Sequence, residues 1–105
     1  MVAESTTQTT QRILAMVEAD RQKIHDFGRG ATTAHRVHDL ATRSVVIGAG
    51  FAARELGLTA PPAYAAISRL EQAGILREAT GRRREKLYIY DEYLTILNEG
   101  TEPIR

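Results

Sequence analysis

Apolar residues recur at helical spacing through the first quarter of the chain. Ile13, Val17, Ile24 and Phe27 share one stripe, which predicts a helix from about Thr9 to about His25. The polar, Thr/Gln-rich residues before it read as a frayed end or a linker. "GRG" at 28–30 ends the helix, because glycine suits a helix C-terminus. Ala34, Val37, Leu40 and Ala41 mark a second stripe, in a helix opening near Thr32 or Thr33, either of which can cap it. "SVVI" at 44–47 is a β-branched run, suited to a short strand or a helix end.

Beyond it the pattern shortens. An Ala-rich helix is predicted from about Ala49 to Leu56, closed by Gly57, and another from about Ala60 to Ala73 before Gly74. Thr59 is placed to cap the latter, with Pro61 and Pro62 in its first turn, where backbone N–H groups lack helical partners. Residues 75–79 and 85–90 alternate like strands around a glycine turn and predict a hairpin. Asp91 then caps a short final helix to about Asn98, with Glu92 favourably near its positive end and Gly100 as its stop. No internal repeat interrupts this order.

The predicted fold class is therefore mainly α with a small β-hairpin (α+β): a winged helix-turn-helix preceded by two helices. Residues 1–9 are expected to be disordered or a linker, 10–43 a helical linker or dimerisation segment, and 44–105 the winged helix-turn-helix with its C-terminal helix. Ala63, Ala66, Ile67 and Leu70 form the inward stripe of the second helix of the pair, and Ala52, Ala53 and Leu56 that of the first. Their small side chains let the two helices cross closely. Tyr64, Ser68 and Arg69 are left on or near the opposite face, with Thr59 at its start. In this architecture that face enters the major groove of duplex DNA.

Charge sharpens the picture. The chain has 105 residues and a net charge of only +1, yet residues 59–90 hold six basic and three acidic side chains, and 91–105 one basic and four acidic. Arg82, Arg83, Arg84 and Lys86 crowd the hairpin tip, interrupted by Glu85. A clustered basic tip neutralises phosphates and fixes docking on a duplex. The plainer alternative is a solvated hairpin end, whose charges keep a strand edge from aggregating.

Other chemistry finds little support. Cysteine is absent, which rules out disulfides and thiolate metal sites. The first residues lack the apolar core of a signal peptide and no run approaches membrane-spanning length, so a cytoplasmic protein is expected. His35 and His38 stand three apart on one helix, but no carboxylate spacing completes a zinc pattern. All three histidines are expected at the surface, and neither metal nor cofactor is expected. Tyr88, Tyr90 and Tyr93 are expected to pack the last helix onto the sheet, hydroxyls towards water. No nucleophile elbow or phosphate-binding glycine loop is present, so this chain is not expected to be an enzyme.

Residues 70–84 read L-E-x-x-G-I-L-x-E-x-T-G-R-x-R, and 88–100 read Y-x-Y-x-E-Y-L-x-I-L-N-E-G. With the leucine–glycine turn at 56–57, the stretch from Leu56 to Pro103 resembles the C-terminal winged-helix domain of many bacterial Fic-family proteins. More loosely, 9–29 resembles the helical segment joining that domain to the catalytic core. The family typically transfers the AMP part of ATP to a hydroxyl of a target protein, through a motif that begins His-Pro-Phe. No histidine here is followed by Pro-Phe, so the catalytic motif is absent from this chain. The resemblance implies an accessory or regulatory domain of a longer AMP-transferring protein, with duplex DNA or the parent's Fic core as partner. The alternative is a protein–protein interaction or dimerisation module, a homodimer formed through the 13/17/24 stripe and Phe27.

Overall fold

The computed structural model describes residues 2–101, with side chains from 7 to 99. The elements are α1 (Val2–His25), α2 (Ala31–Ser44), β1 (Val46–Gly48), α3 (Ala49–Leu56), α4 (Ala60–Gln72), β2 (Arg77–Glu78), β3 (Leu87–Ile89) and α5 (Asp91–Thr101). The chain is mainly α with a small antiparallel sheet, as the pattern predicts.

Several boundaries differ from the sequence expectation, each for a local reason. Helix α1 begins at Val2 rather than near Thr9, so residues 2–9 are helical rather than frayed. No Gly or Pro precedes Gly28, and a helix once nucleated propagates through such a run. Helix α2 starts at Ala31, with Gly30 as a left-handed N-cap residue (φ 87°), so neither Thr32 nor Thr33 caps it. Thr59 does stand at the N-cap of α4 in extended conformation, but its hydroxyl makes no capping bond. Gly100 lies within α5 instead of ending it.

"SVVI" divides between the two readings: Ser44 ends α2, and Val46 and Ile47 enter β1. Val45, between them, has φ 65°, uncommon for a β-branched residue. Backbone bonds hold it on both sides, its N–H to the Ala41 carbonyl (2.8 Å) and its carbonyl to the Tyr90 N–H (2.9 Å). The sheet order is β1-β3-β2, with Val46 opposite Ile89, Gly48 opposite Leu87, and Arg77 also opposite Ile89. Strand β3 is thus central, and the pairing carries the 78–87 hairpin out beside α4.

One core draws on every helix. Ile24 from α1, Val37, Leu40 and Ala41 from α2, Ile67 and Leu70 from α4, and Ile96 from α5 are buried together. Helix α2 packs on α4, and α1 on α5. Gly57 turns α3 into α4 with φ 66°, a left-handed conformation that glycine adopts without Cβ strain. The Leu58 N–H closes that turn on the Ala53 carbonyl (2.8 Å). Ala52 and Ala63 are fully buried across the α3–α4 contact, where small side chains permit close approach.

Two surface expectations are corrected inside this core. His38 and Tyr90 are both fully buried. The Tyr90 hydroxyl donates to Asp20 Oδ2 (2.6 Å) and lies 2.7 Å from His38 Nε2. An Asp20 carboxylate can only accept, so Tyr90 gives it its proton and in turn accepts from His38 Nε2–H. That fixes the tautomer and leaves His38 Nδ1 a buried acceptor with no partner. The other part of the tyrosine expectation stands, since the Tyr90 and Tyr93 rings meet at 5.6 Å where β3 passes into α5.

Candidate nucleic-acid interface

The hairpin tip is organised by one carboxylate. Glu78 Oε2 accepts from the Thr80 hydroxyl (2.7 Å), the Thr80 N–H (2.5 Å) and the Gly81 N–H (2.6 Å). These bonds, the Thr80 hydroxyl first, hold its carboxyl below the usual range. Gly81, at φ 67°, then turns the chain so that the basic residues follow outside the sheet. Glu85 also has a left-handed backbone (φ 51°) and returns the chain towards β3.

Among the described residues, several cations are paired and those of the hairpin tip are not. Arg12, Arg21, Lys23 and Arg77 are paired with Glu99, Asp39, Asp20 and Asp91. Arg36 is bound to the Leu56 carbonyl (2.6 Å). By contrast Arg83, Arg84 and Lys86 have no ion pair or hydrogen bond among the described residues, and Arg82 makes only a long contact to the Glu85 carbonyl (3.5 Å). Arg29, Arg43 and Arg54 are also without a side-chain partner among the described residues, but only the tip brings several such cations together in consecutive positions.

Between that tip and α4 lies a groove of about 330 Å³, with Tyr64, Ser68 and Glu71 on the helix side and Arg83, Arg84 and Lys86 opposite. Tyr64 is 60% exposed, unusual for so large a ring, and Ser68 is exposed one turn on. Glu71 and Glu85 also line the groove, so its walls are mixed and its rim is cationic. Thr59 is exposed at the start of α4.

Arg69 does not share this face. Its guanidinium donates to the carbonyls of Arg29 (3.0 Å) and Phe27 (3.1 Å) and lies 4.4 Å over the Phe27 ring. It fastens α4 to the α1–α2 loop, so the expectation that it lines the groove is corrected. The 13/17/24 stripe and Phe27 are likewise engaged within the chain, Ile24 fully buried and the others packed on the core. Sequence reasoning missed Arg54, which α3 brings to the same side as Tyr64 and Lys86. Its signal was an arginine two residues past the buried Ala52, off the inward stripe of an otherwise apolar helix.

Among the described residues, no helix is long and apolar enough to cross a membrane. Comparison with family models, curated proteins and solved structures finds no match.

Proposed function

We propose that this chain is a winged-helix module that contacts duplex DNA, with α4 as the helix presented to the groove and the 78–87 hairpin as the wing. The observation that carries this reading is the set of unpaired cations, Arg83, Arg84 and Lys86, facing the exposed Tyr64 and Ser68 across one groove. Pairing elsewhere neutralises much of the basic charge, whereas here it is left for a polyanion. Phosphate contacts from Arg82, Arg83, Arg84 and Lys86 supply affinity, and Thr59, Tyr64 and Ser68 touch the duplex. Since α4 offers few groups that read base edges, binding is dominated by backbone contacts.

The motif resemblance supports a context for the module. It serves as an accessory or regulatory domain of a Fic-type, AMP-transferring protein in the bacterial cytoplasm, placing the enzyme on DNA. Catalysis belongs to the parent's core and not to this chain.

Titrating a short duplex at several salt concentrations tests the reading. Replacing Arg82, Arg83 and Arg84 together by alanine is expected to reduce the slope of log affinity against log salt by roughly two to three units, each phosphate contact contributing about 0.9. An unchanged slope, or no binding by the intact chain at low salt, overturns it.

A further inference from the structure

Beside the groove, a second cavity of about 300 Å³ opens between the start of α3, α4 and the root of the hairpin. Its walls are mainly apolar and aromatic: Phe51 from α3, Tyr64 from α4, and Leu87 and Tyr88 from β3. Two cations stand in it, Arg54 and Lys86, neither with an ion pair or hydrogen bond among the described residues. Gly50 leaves the Arg54 guanidinium uncovered, since a Cβ there would lie 3.6 Å from its Nη1.

We infer that this cavity is a binding site for a small aromatic monocarboxylate. Each part of the wall selects one feature of such a ligand. The rings and Leu87 take a flat apolar body, which explains an otherwise open aromatic surface. Arg54 offers a fork matched to a carboxylate, and Lys86 a second positive charge from the opposite side. Glu85, on the same rim, repels a second negative charge, which disfavours phosphate monoesters and dicarboxylates. The volume, at the low end for small-molecule sites, admits one ring. A ligand of this size binds with a dissociation constant of roughly 0.1–1 mM.

The site does not rest on DNA binding, though it bears on it. Tyr64, Glu85, Lys86 and Tyr88 line both this cavity and the groove, so an occupant engages residues the duplex would also meet.

Benzoate is the probe, titrated into the full ¹⁵N-labelled chain at constant ionic strength and followed by amide shifts without DNA. Saturable shifts confined to Gly48, Gly50, Phe51, Arg54 and Leu87 are expected. Acetate, which lacks the ring, and benzyl alcohol, which lacks the charge, should each leave them small and unsaturated. Arg54→Gln should weaken benzoate about tenfold. Gly50→Leu should fill the cavity beside Arg54, at a helical position where a Cβ makes ordinary contact, and abolish binding while the fold is kept. Shifts scattered over the surface, shifts equal for acetate and benzoate, or affinity unchanged in a folded Arg54→Gln or Gly50→Leu chain overturn the inference. Because no arm contains DNA, the fate of the duplex reading is decided separately.

Discussion

Tyr90 carries its hydroxyl to the one place in the core where two polar groups from different helices await it. Asp20 and His38 lie on α1 and α2, and neither satisfies the other directly. Tyr90→Phe keeps the ring but leaves the buried Asp20 Oδ2 and the His38 N–H without their hydrogen bond, with only Lys23 (3.6 Å) still beside the other carboxylate oxygen. Such orphaned groups cost more than an ordinary lost hydrogen bond, so destabilisation by about 3 kcal/mol is expected in urea unfolding. Tyr88→Phe, on a half-buried ring with no hydroxyl partner, should stay within about 0.5 kcal/mol. Equal effects of the two substitutions would remove the network from the account. Burial also pushes the His38 pKa below its ordinary value, opposed by Asp20 and Asp39 and assisted by Arg21 and His35. The unfolded chain therefore takes up a proton near pH 6.5, where the native core still resists it. The stabilisation is present above that pH and is lost as pH falls towards the lower native value. Unfolding measured from about pH 7.5 to about pH 5 should show this loss in the native chain. In His38→Gln, whose amide still donates to Tyr90 but does not titrate, the curve should be flatter. Parallel curves would exclude His38 as the source.

At the scale of elements, the arginines of α4 and of the hairpin stand in opposite surroundings. Arg69 ties α4 to the loop between α1 and α2 through two carbonyls and the Phe27 ring. Arg83 and Arg84 touch no partner among the described residues. Arg69→Met, which keeps the aliphatic stem, should lower stability by about 1–2 kcal/mol, because charge-assisted bonds to carbonyls are lost at a partly solvated site. Its effect on DNA affinity should be negligible once the protein is folded. Arg83→Ala should do the reverse, leaving the unfolding midpoint in place and lowering affinity for the proposed duplex partner. Fluorescence anisotropy beside a thermal melt separates them, and a loss of affinity in Arg69→Met with an unchanged melt would return Arg69 to the proposed interface. Much of this element layer was legible. The glycines at 57 and 74, the prolines of α4 and the alternation around 80–84 place the helices and hairpin within a few residues. The direction of Arg69 was not, because periodicity puts it off the inward stripe but cannot say that an exposed loop carbonyl lies within its reach. His38 does carry a signal in the sequence: it sits inside the stripe of Ala34, Val37 and Ala41, as Asp20 sits between Met16 and Ile24 one turn either side. A polar residue in such a stripe announces a buried partner. It does not name one 52 or 70 residues away.

At the scale of the whole molecule, these same contacts bear on whether residues 10–43 form a segment apart from 44–105. Ile24, Val37 and Leu40 from the first part are buried with Ile67, Leu70 and Ile96 from the second. The Asp20–Tyr90–His38 bonds cross the same boundary, and so do the Arg69 clasp and the Arg12–Glu99 pair (2.7 Å). A helical pair that merely linked or dimerised would keep its apolar stripe for another surface. Here the stripe is the second wall of a single core. Chains of this size have little buried area to spare, so neither part is expected to keep its fold alone. Urea unfolding should accordingly be one transition, coincident by tyrosine near-ultraviolet and helical far-ultraviolet dichroism. A chain beginning at Ser44 should lack fixed tyrosine signals, since Tyr90, Ile67 and Leu70 lose their cover. Two separable transitions, or a folded truncated chain, would show instead that the hairpin-bearing part is autonomous. The proposed duplex contacts would then need nothing from α1 and α2. If the single transition holds, a strain applied to the first two helices reaches α4 through its packed face, and the orientation of the groove is set by the segment that precedes it.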